Sequence, residues 1–235
     1  MANQEQIALL SQGVEVWNEW RKENLKVSIN LSKASLTGMD LHGANFDKAI
    51  MIGANLTGAN LSQASLCEVS LWKANLRGAI LSKANLKDAN LIEADLCTAS
   101  LWKANLYNVN LYKADLRGAN LCRAYLYKAN LSETDLSQAS LCEVYLCEAN
   151  LYEADLSGAD LEGANFEGAD LLNIRFDLET NWSSIGSWDN ARDIPQKWKD
   201  ESSQRSGTQQ GFDGSMVSDG GSDVALDPRL LTDSL

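Results

Sequence analysis

From Leu31 to Phe176 every fifth residue is large and apolar: thirty consecutive centres read Leu except Phe46, Met51, Phe166 and Phe176. Ala stands two places before 23 of these centres, and Asn or Asp one place before 20 of them. No insertion breaks the register, and a fixed internal period decides architecture before any other signal. Five suits neither the spacing of an amphipathic helix nor the alternation of a simple strand. An Ala-x-Leu triplet does put two apolar side chains on one side of a short extended segment. The remaining two residues must turn the chain, and their second place holds glycine at Gly38, Gly43, Gly58 and Gly118 among others. Glycine supplies such bends at low steric cost. Long helices are disfavoured because Asn, Ser and Asp recur in every unit and compete for helical hydrogen bonds.

Runs such as ANLTGANLSQASL and ADLSGADLEGANF carry the pattern most cleanly. Over residues 29–178 the chain resembles the pentapeptide-repeat superfamily. The resemblance implies an all-β solenoid, a right-handed quadrilateral β-helix with four pentapeptides per coil and Leu, Phe and Ala facing inward. Thirty units would make about seven and a half coils, roughly 35 Å tall at about 4.8 Å per coil. Met39, Val69, Val109, Val144, Ile174 and Thr134 replace the inner Ala. The unit Ala49-Ile50-Met51 fits least well and predicts a local irregularity near residue 50.

Open solenoid ends need covering. Residues 1–28 are expected to supply an N-terminal helical cap. Ile7, Leu10, Val14 and Trp17, with Leu9, Val16 and Trp20, follow helical spacing and predict a capping α-helix over 4–22. A membrane-surface helix competes with this reading, but Glu5, Glu15 and Glu19 give it an acidic polar face that anionic lipids disfavour. After Phe176 the register stops; residues 179–200, with Trp182, Trp188, Pro195 and Trp198, are expected to form a second cap. Residues 201–235 are rich in Ser, Gly, Asp and Gln and are expected to be disordered.

No apolar run approaches the eighteen or so residues that a membrane span needs. The opening MANQEQ lacks the features of a secretory signal, so a cytoplasmic location is expected. Five cysteines without CxxC spacing suggest neither a disulfide framework nor a zinc site. Cys122 and Cys142 lie twenty residues apart, hence on adjacent coils of one face. They could pair, but reduced thiols are expected in a reducing cytosol. His42 is the sole histidine and reads as a surface residue. No phosphate loop, nucleophile elbow or two-histidine metal motif is present. The chain reads as non-enzymatic, with no cofactor and no metal.

The four-sided coil that the resemblance implies makes residues twenty apart vertical neighbours. Asp95, Asp115, Asp135 and Asp155 then stack above Asn55 and Asn75. They serve either as backbone hydrogen-bond acceptors at the corners or as an acidic ridge for a basic partner. Lys33, Lys73, Glu93, Lys113, Glu133 and Glu153 read as a surface ion-pair ladder. Tyr107, Tyr125, Tyr127 and Tyr145 should form one outward patch, while Trp72, Ile92 and Tyr112 stack on another face. Such aromatics either stabilise the stack or dock a partner. Charge is uneven: residues 71–130 hold nine Lys or Arg against four acids, and residues 131–180 hold twelve acids against Arg175 alone.

Two functions follow. The first is a non-catalytic protein-interaction scaffold that presents rigid faces to an unidentified protein partner, as a monomer or end-to-end dimer. The alternative is a DNA-mimicking inhibitor of DNA gyrase or topoisomerase, because one branch of the family resembles duplex DNA in shape and charge. Net charge −12 fits the mimic. The basic middle coils, the absence of projecting loops and the lack of an obvious dimerisation helix oppose it. Direct nucleic-acid binding is disfavoured for so acidic a chain, with Lys83, Lys103 and Arg123 as the one candidate band. A membrane partner is not expected.

Overall fold

The computed structural model describes residues 2–196 and 198. The chain divides into two units, Met1–Asp193 and Ile194–Leu235. In the second, the Trp198 amide donates to the Pro195 carbonyl at 3.0 Å. The expectation for residues 201–235 lies outside the described residues.

The first unit is a coil of five-residue sides. Parallel bridges join each residue before a central Leu to its equivalent twenty residues on, from Asn30↔Ile50 through Asp155↔Arg175. Four sides therefore complete a turn. The central residues from Leu31 to Leu171 and the Ala before each bridge are buried almost without exception. The residue between them faces out. Side chains pack inward in layers, with Phe46, Met51 and Phe166 fully buried in the same row as the leucines. The irregularity expected near residue 50 does not occur: Ile50 bridges both Asn30 and Ser70 in register. Methionine is flexible enough to fill a leucine place without shifting the coil.

The backbone amides explain the motif. Within one unit, Ala34 N–H closes the turn onto the Leu31 carbonyl at 3.0 Å, while Leu31 and Lys33 donate to Ile50 and Ile52 of the next coil at 2.7 and 2.9 Å. The bridging residue donates back, as Asn55 does to Ala34 at 2.9 Å. One amide per unit, that of the first turn residue, is left over. The Asn or Asp side chain two places earlier accepts it: Ser32 N–H to Asn30 Oδ1 at 3.1 Å, Thr57 to Asn55 at 3.1 Å, Cys97 to Asp95 at 3.0 Å. Asn and Asp recur because a short side-chain acceptor there satisfies the remaining amide.

The second turn residue has φ near +60°, as a type II turn demands. Glycine fits it, yet Lys33, Glu68, Lys73, Thr98 and Glu153 also adopt it, at φ 61, 55, 55, 59 and 57°.

Two helices precede the coil instead of the single one expected: α1, Gln4–Leu10, and α2, Val14–Glu23. Gly13 separates them at φ 113°, ψ 161°, a conformation outside the helical region and open chiefly to glycine. Asn3 caps α1 by accepting from the amides of Glu5 and Gln6. Side chains from both helices meet the first coil. Gln6 Oε1 accepts from the Asn30 amide at 2.8 Å, and Asn18 Oδ1 from the Asn45 amide at 2.9 Å. Trp17 Nε1 donates to the Asn45 carbonyl at 2.8 Å, and Arg21 to that of Asp47 at 3.0 Å.

Beyond Phe176 the pentad lapses, but the coil continues. Asp160, Asn165 and Asp170 bridge Asn181, Ser187 and Arg192, at offsets of 21, 22 and 22. By this register Phe176, Trp182 and Trp188 take the leucine places of the last turn. Phe176, expected to line the interior, is only half-buried and lies against Trp182 at 5.6 Å. The longer first side is held by Asp177, whose Oδ1 accepts from the amides of Gly158, Glu179 and Thr180. These contacts keep its carboxyl below the usual range, the Gly158 amide contributing most. At Gly186 a Cβ would meet the Gly163 carbonyl oxygen at 2.9 Å, so this position admits nothing larger than glycine.

Candidate protein-interaction face

One side of the coil is centred on Asn45, Ser65, Asn85, Asn105, Tyr125, Tyr145 and Asn165. The four candidate tyrosines gather on it. Tyr125 and Tyr145 replace the Asn acceptor in consecutive coils, and their rings stack at 5.1 Å and 7°. Tyr107 and Tyr127 occupy the adjoining turn and stack at 5.6 Å and 23°. All four are half-buried. A tyrosine ring cannot supply the short acceptor that the following turn amide takes from Asn. This side thus gives up a local hydrogen bond twice in succession, and such breaches of a local rule concentrate at functional surfaces.

Three charged residues surround these rings, and the reading of the tyrosines alone does not include them. Lys87 Nζ lies 5.3 Å from the Tyr107 ring centre, and Lys128 Nζ 5.0 Å from that of Tyr127. Tyr127 donates its hydroxyl to Glu148 at 2.6 Å, which raises its own pKa. The signal was present as residues one place and one coil away from each tyrosine. At the opposite corner of the same side, Trp102 lies beneath Lys83 and Lys103, at 5.4 and 4.9 Å.

Trp72 and Tyr112 lie in another column, with Ile92 between them. Trp72 is exposed, with Lys73 over its ring at 4.9 Å. Tyr112 donates to Glu133 at 2.9 Å. The structure does not bring these two onto the tyrosine side.

Asp95, Asp115, Asp135 and Asp155 do stack by successive bridges. Each accepts the amide two residues on, at 3.0, 3.1, 3.0 and 3.0 Å. Arginines also meet them: Arg77 at Asp95, Arg117 between Asp115 and Asp135, and Arg175 at Asp155. Hydrogen bonds from Arg117 hold the Asp115 carboxyl below its usual range. The column is internally compensated.

The uneven charge is clasped where it changes sign. Lys113–Glu133 at 3.2 Å, Arg117–Asp135 at 3.7 Å, Arg123–Glu143 at 2.9 Å and Lys128–Glu148 at 3.6 Å put one cation of an ion pair at each of the four corners between the same two coils. Lys73–Glu93, at 3.1 Å, belongs to the expected ladder.

Cys122 and Cys142 form a disulfide between adjacent coils, with Cα atoms 4.6 Å apart, where reduced thiols were expected. Stacking in one corner column brings the two within bonding reach. Burial pushes the Cys67 and Cys147 thiols up. His42 Nδ1 is 2.8 Å from the Ser62 hydroxyl. Among the described residues no cluster of His, Cys, Asp or Glu is arranged to hold a metal ion, and no helix is long and apolar enough to cross a membrane.

No match is found among curated proteins by sequence. Several solved structures are similar, among them the following three. HetL from Nostoc sp. strain PCC 7120, described as involved in heterocyst differentiation regulation, shares 29% identity over 74% of this chain and 93% of its own, with a TM-score of 0.37. Full-length QnrB1, a plasmid-mediated fluoroquinolone resistance protein, shares 17% identity over 74% and 97%, with a TM-score of 0.44. Rfr23 from the cyanobacterium Cyanothece 51142 shares 26% identity over 71% and 97%, with a TM-score of 0.21. The profile for pentapeptide repeats matches in eight copies, over residues 28–63, 59–96, 104–141 and 129–168. These segments span more than half of the sequence and coincide with the bridged sides, and the chain belongs to the pentapeptide-repeat family.

Proposed function

We propose that this protein is a non-catalytic scaffold whose tyrosine-bearing side docks a protein partner. The observation that carries the reading is the replacement of Asn by Tyr125 and Tyr145 in consecutive coils. Aromatic side chains on a rigid frame supply contact area at low entropic cost, and they dominate binding energy at interfaces. The potentially reactive groups are otherwise engaged: His42 with Ser62, and the Asp column with backbone amides and arginines. Trp72 and Tyr112 form a secondary candidate surface. In this reading α1 and α2 close the first edge of the coil, and the protein works in the cytoplasm as a monomer or end-to-end dimer.

The experiment is capture of partners from the native host with wild type and with Tyr107, Tyr125, Tyr127 and Tyr145 all replaced by Ser. Loss of a stoichiometric partner is the expected result. Identical capture by both proteins would remove the tyrosine side as the docking surface.

The DNA-mimic reading loses support from the clasp between coils. Glu133, Asp135, Glu143 and Glu148 each face a cation one coil back, which quenches the field a gyrase would have to meet. Purified protein is expected to leave gyrase supercoiling unaffected at high molar excess.

A further inference from the structure

The chemistry of the partner can be narrowed, taking the tyrosine side as the docking surface. Chain connectivity places two corner columns on either edge of that side. One carries Lys83, Lys103 and Arg123 around Trp102; the other carries Lys87, Tyr107, Tyr127 and Lys128. Across its three middle coils, residues 82–88, 102–108 and 122–128, this side holds five cations and a single acid, Asp88. Asp88 accepts from Asn108 at 2.8 Å. Arg123 and Lys128 are engaged by Glu143 and Glu148 of the following coil. Lys83 and Lys87 have aromatic rings as neighbours instead: Trp102 and Tyr107. A ring face attracts an ammonium without neutralising it, and leaves its donors available.

The rings add to the same field. Each stacked tyrosine gives one face to its partner one coil away, so the rims are left to meet a ligand. Ring rims carry the positive end of the aromatic quadrupole. Cations and ring rims together make a positive, partly apolar strip on a chain whose net charge is −12.

We propose that this strip binds an extended acidic–aliphatic segment of a protein partner, with carboxylates at Lys83 and Lys87 and apolar side chains against Trp102 and the tyrosines. Single-stranded nucleic acid fits less well, because base stacking needs free ring faces and each of these rings already gives one face to its partner.

The test uses the full chain and a fluorescein-labelled peptide of alternating Glu and Leu, read by anisotropy. A Lys–Leu peptide and a labelled thymidine oligonucleotide are the comparison probes. Binding of the Glu–Leu peptide is expected to weaken about tenfold or more in Lys83→Glu/Lys87→Glu, and to fall steeply with added salt. Lys22→Glu, far from the strip, should leave it unchanged. Lys22 and Lys83 are exposed and Lys87 is half-buried, and unchanged melting will show that the fold is intact. Equal affinity for the Glu–Leu and Lys–Leu peptides, tighter binding of the oligonucleotide, or indifference to the double substitution would overturn the proposal. Failure of the docking reading is separately visible. If the Tyr→Ser protein keeps its partner, the side is not the docking surface. If it loses the partner while Lys83→Glu/Lys87→Glu retains it, the side docks a partner that is not acidic.

Discussion

Thr98 shows what the turn geometry costs a single residue. It is β-branched and sits at φ 59°, in a column whose neighbours above and below are Gly78 and Gly118. A side chain in the left-handed region costs about 1–2 kcal/mol, and glycine returns about 0.5–1 kcal/mol of that through its looser unfolded chain. Thr98→Gly is therefore expected to stabilise the protein by up to about 1 kcal/mol, read as a higher urea midpoint. Asp115 carries a pH signature. Arg117 holds its folded pKa below the unfolded value. Its contribution is complete above about pH 4 and drains away as pH falls through the folded value. Asp115→Asn should lower stability at neutral pH and flatten the acid limb of the unfolding profile. The pentad itself was fully legible, since Leu, Ala and Asn each answer a local demand. Lys and Glu at the positive-φ place were not, because nothing in their chemistry asks for that backbone. Several of them pair across coils, as Lys73–Glu93 and Arg123–Glu143 do.

The helices were legible as an apolar spacing but not as two elements. The break depends on Gly13 alone, and periodicity on either side runs through it. Their buried polar contacts could not be read from sequence either, because each depends on a docking geometry. Asn18 bonds both the Asn45 amide and the Gly43 carbonyl, at 2.9 and 3.0 Å. Removing its side chain leaves both groups at a covered edge, and Asn18→Ala is expected to cost about 1–3 kcal/mol. Native-state hydrogen exchange should show the Asn45 amide losing protection, while that of Asn105 is unchanged. The tyrosine pairs were legible as a patch because a twenty-residue offset stacks them. Their basic rim was not, since Lys87 and Lys128 matter only through rings they meet across a corner.

The whole coil stands on one continuous apolar interior. Leu106 is fully buried at its centre, and Leu106→Ala is expected to cost about 2–5 kcal/mol in chemical denaturation. Because each coil touches only its neighbours, that loss should split the melt into separable transitions instead of shifting one. The ring of four ion pairs after residue 113 is a second whole-coil feature. Exposed pairs are individually weak, so raising salt should move the melting temperature only slightly.

A stack whose turns lean only on adjacent turns can be unreeled from a free end like thread from a spool. The sulfur bond between Cys122 and Cys142 ties one winding to the next. Under tension on the C terminus, unreeling should therefore withhold the slack of that loop, roughly 65–70 Å of extended chain. Adding a reductant should release that length in a single step.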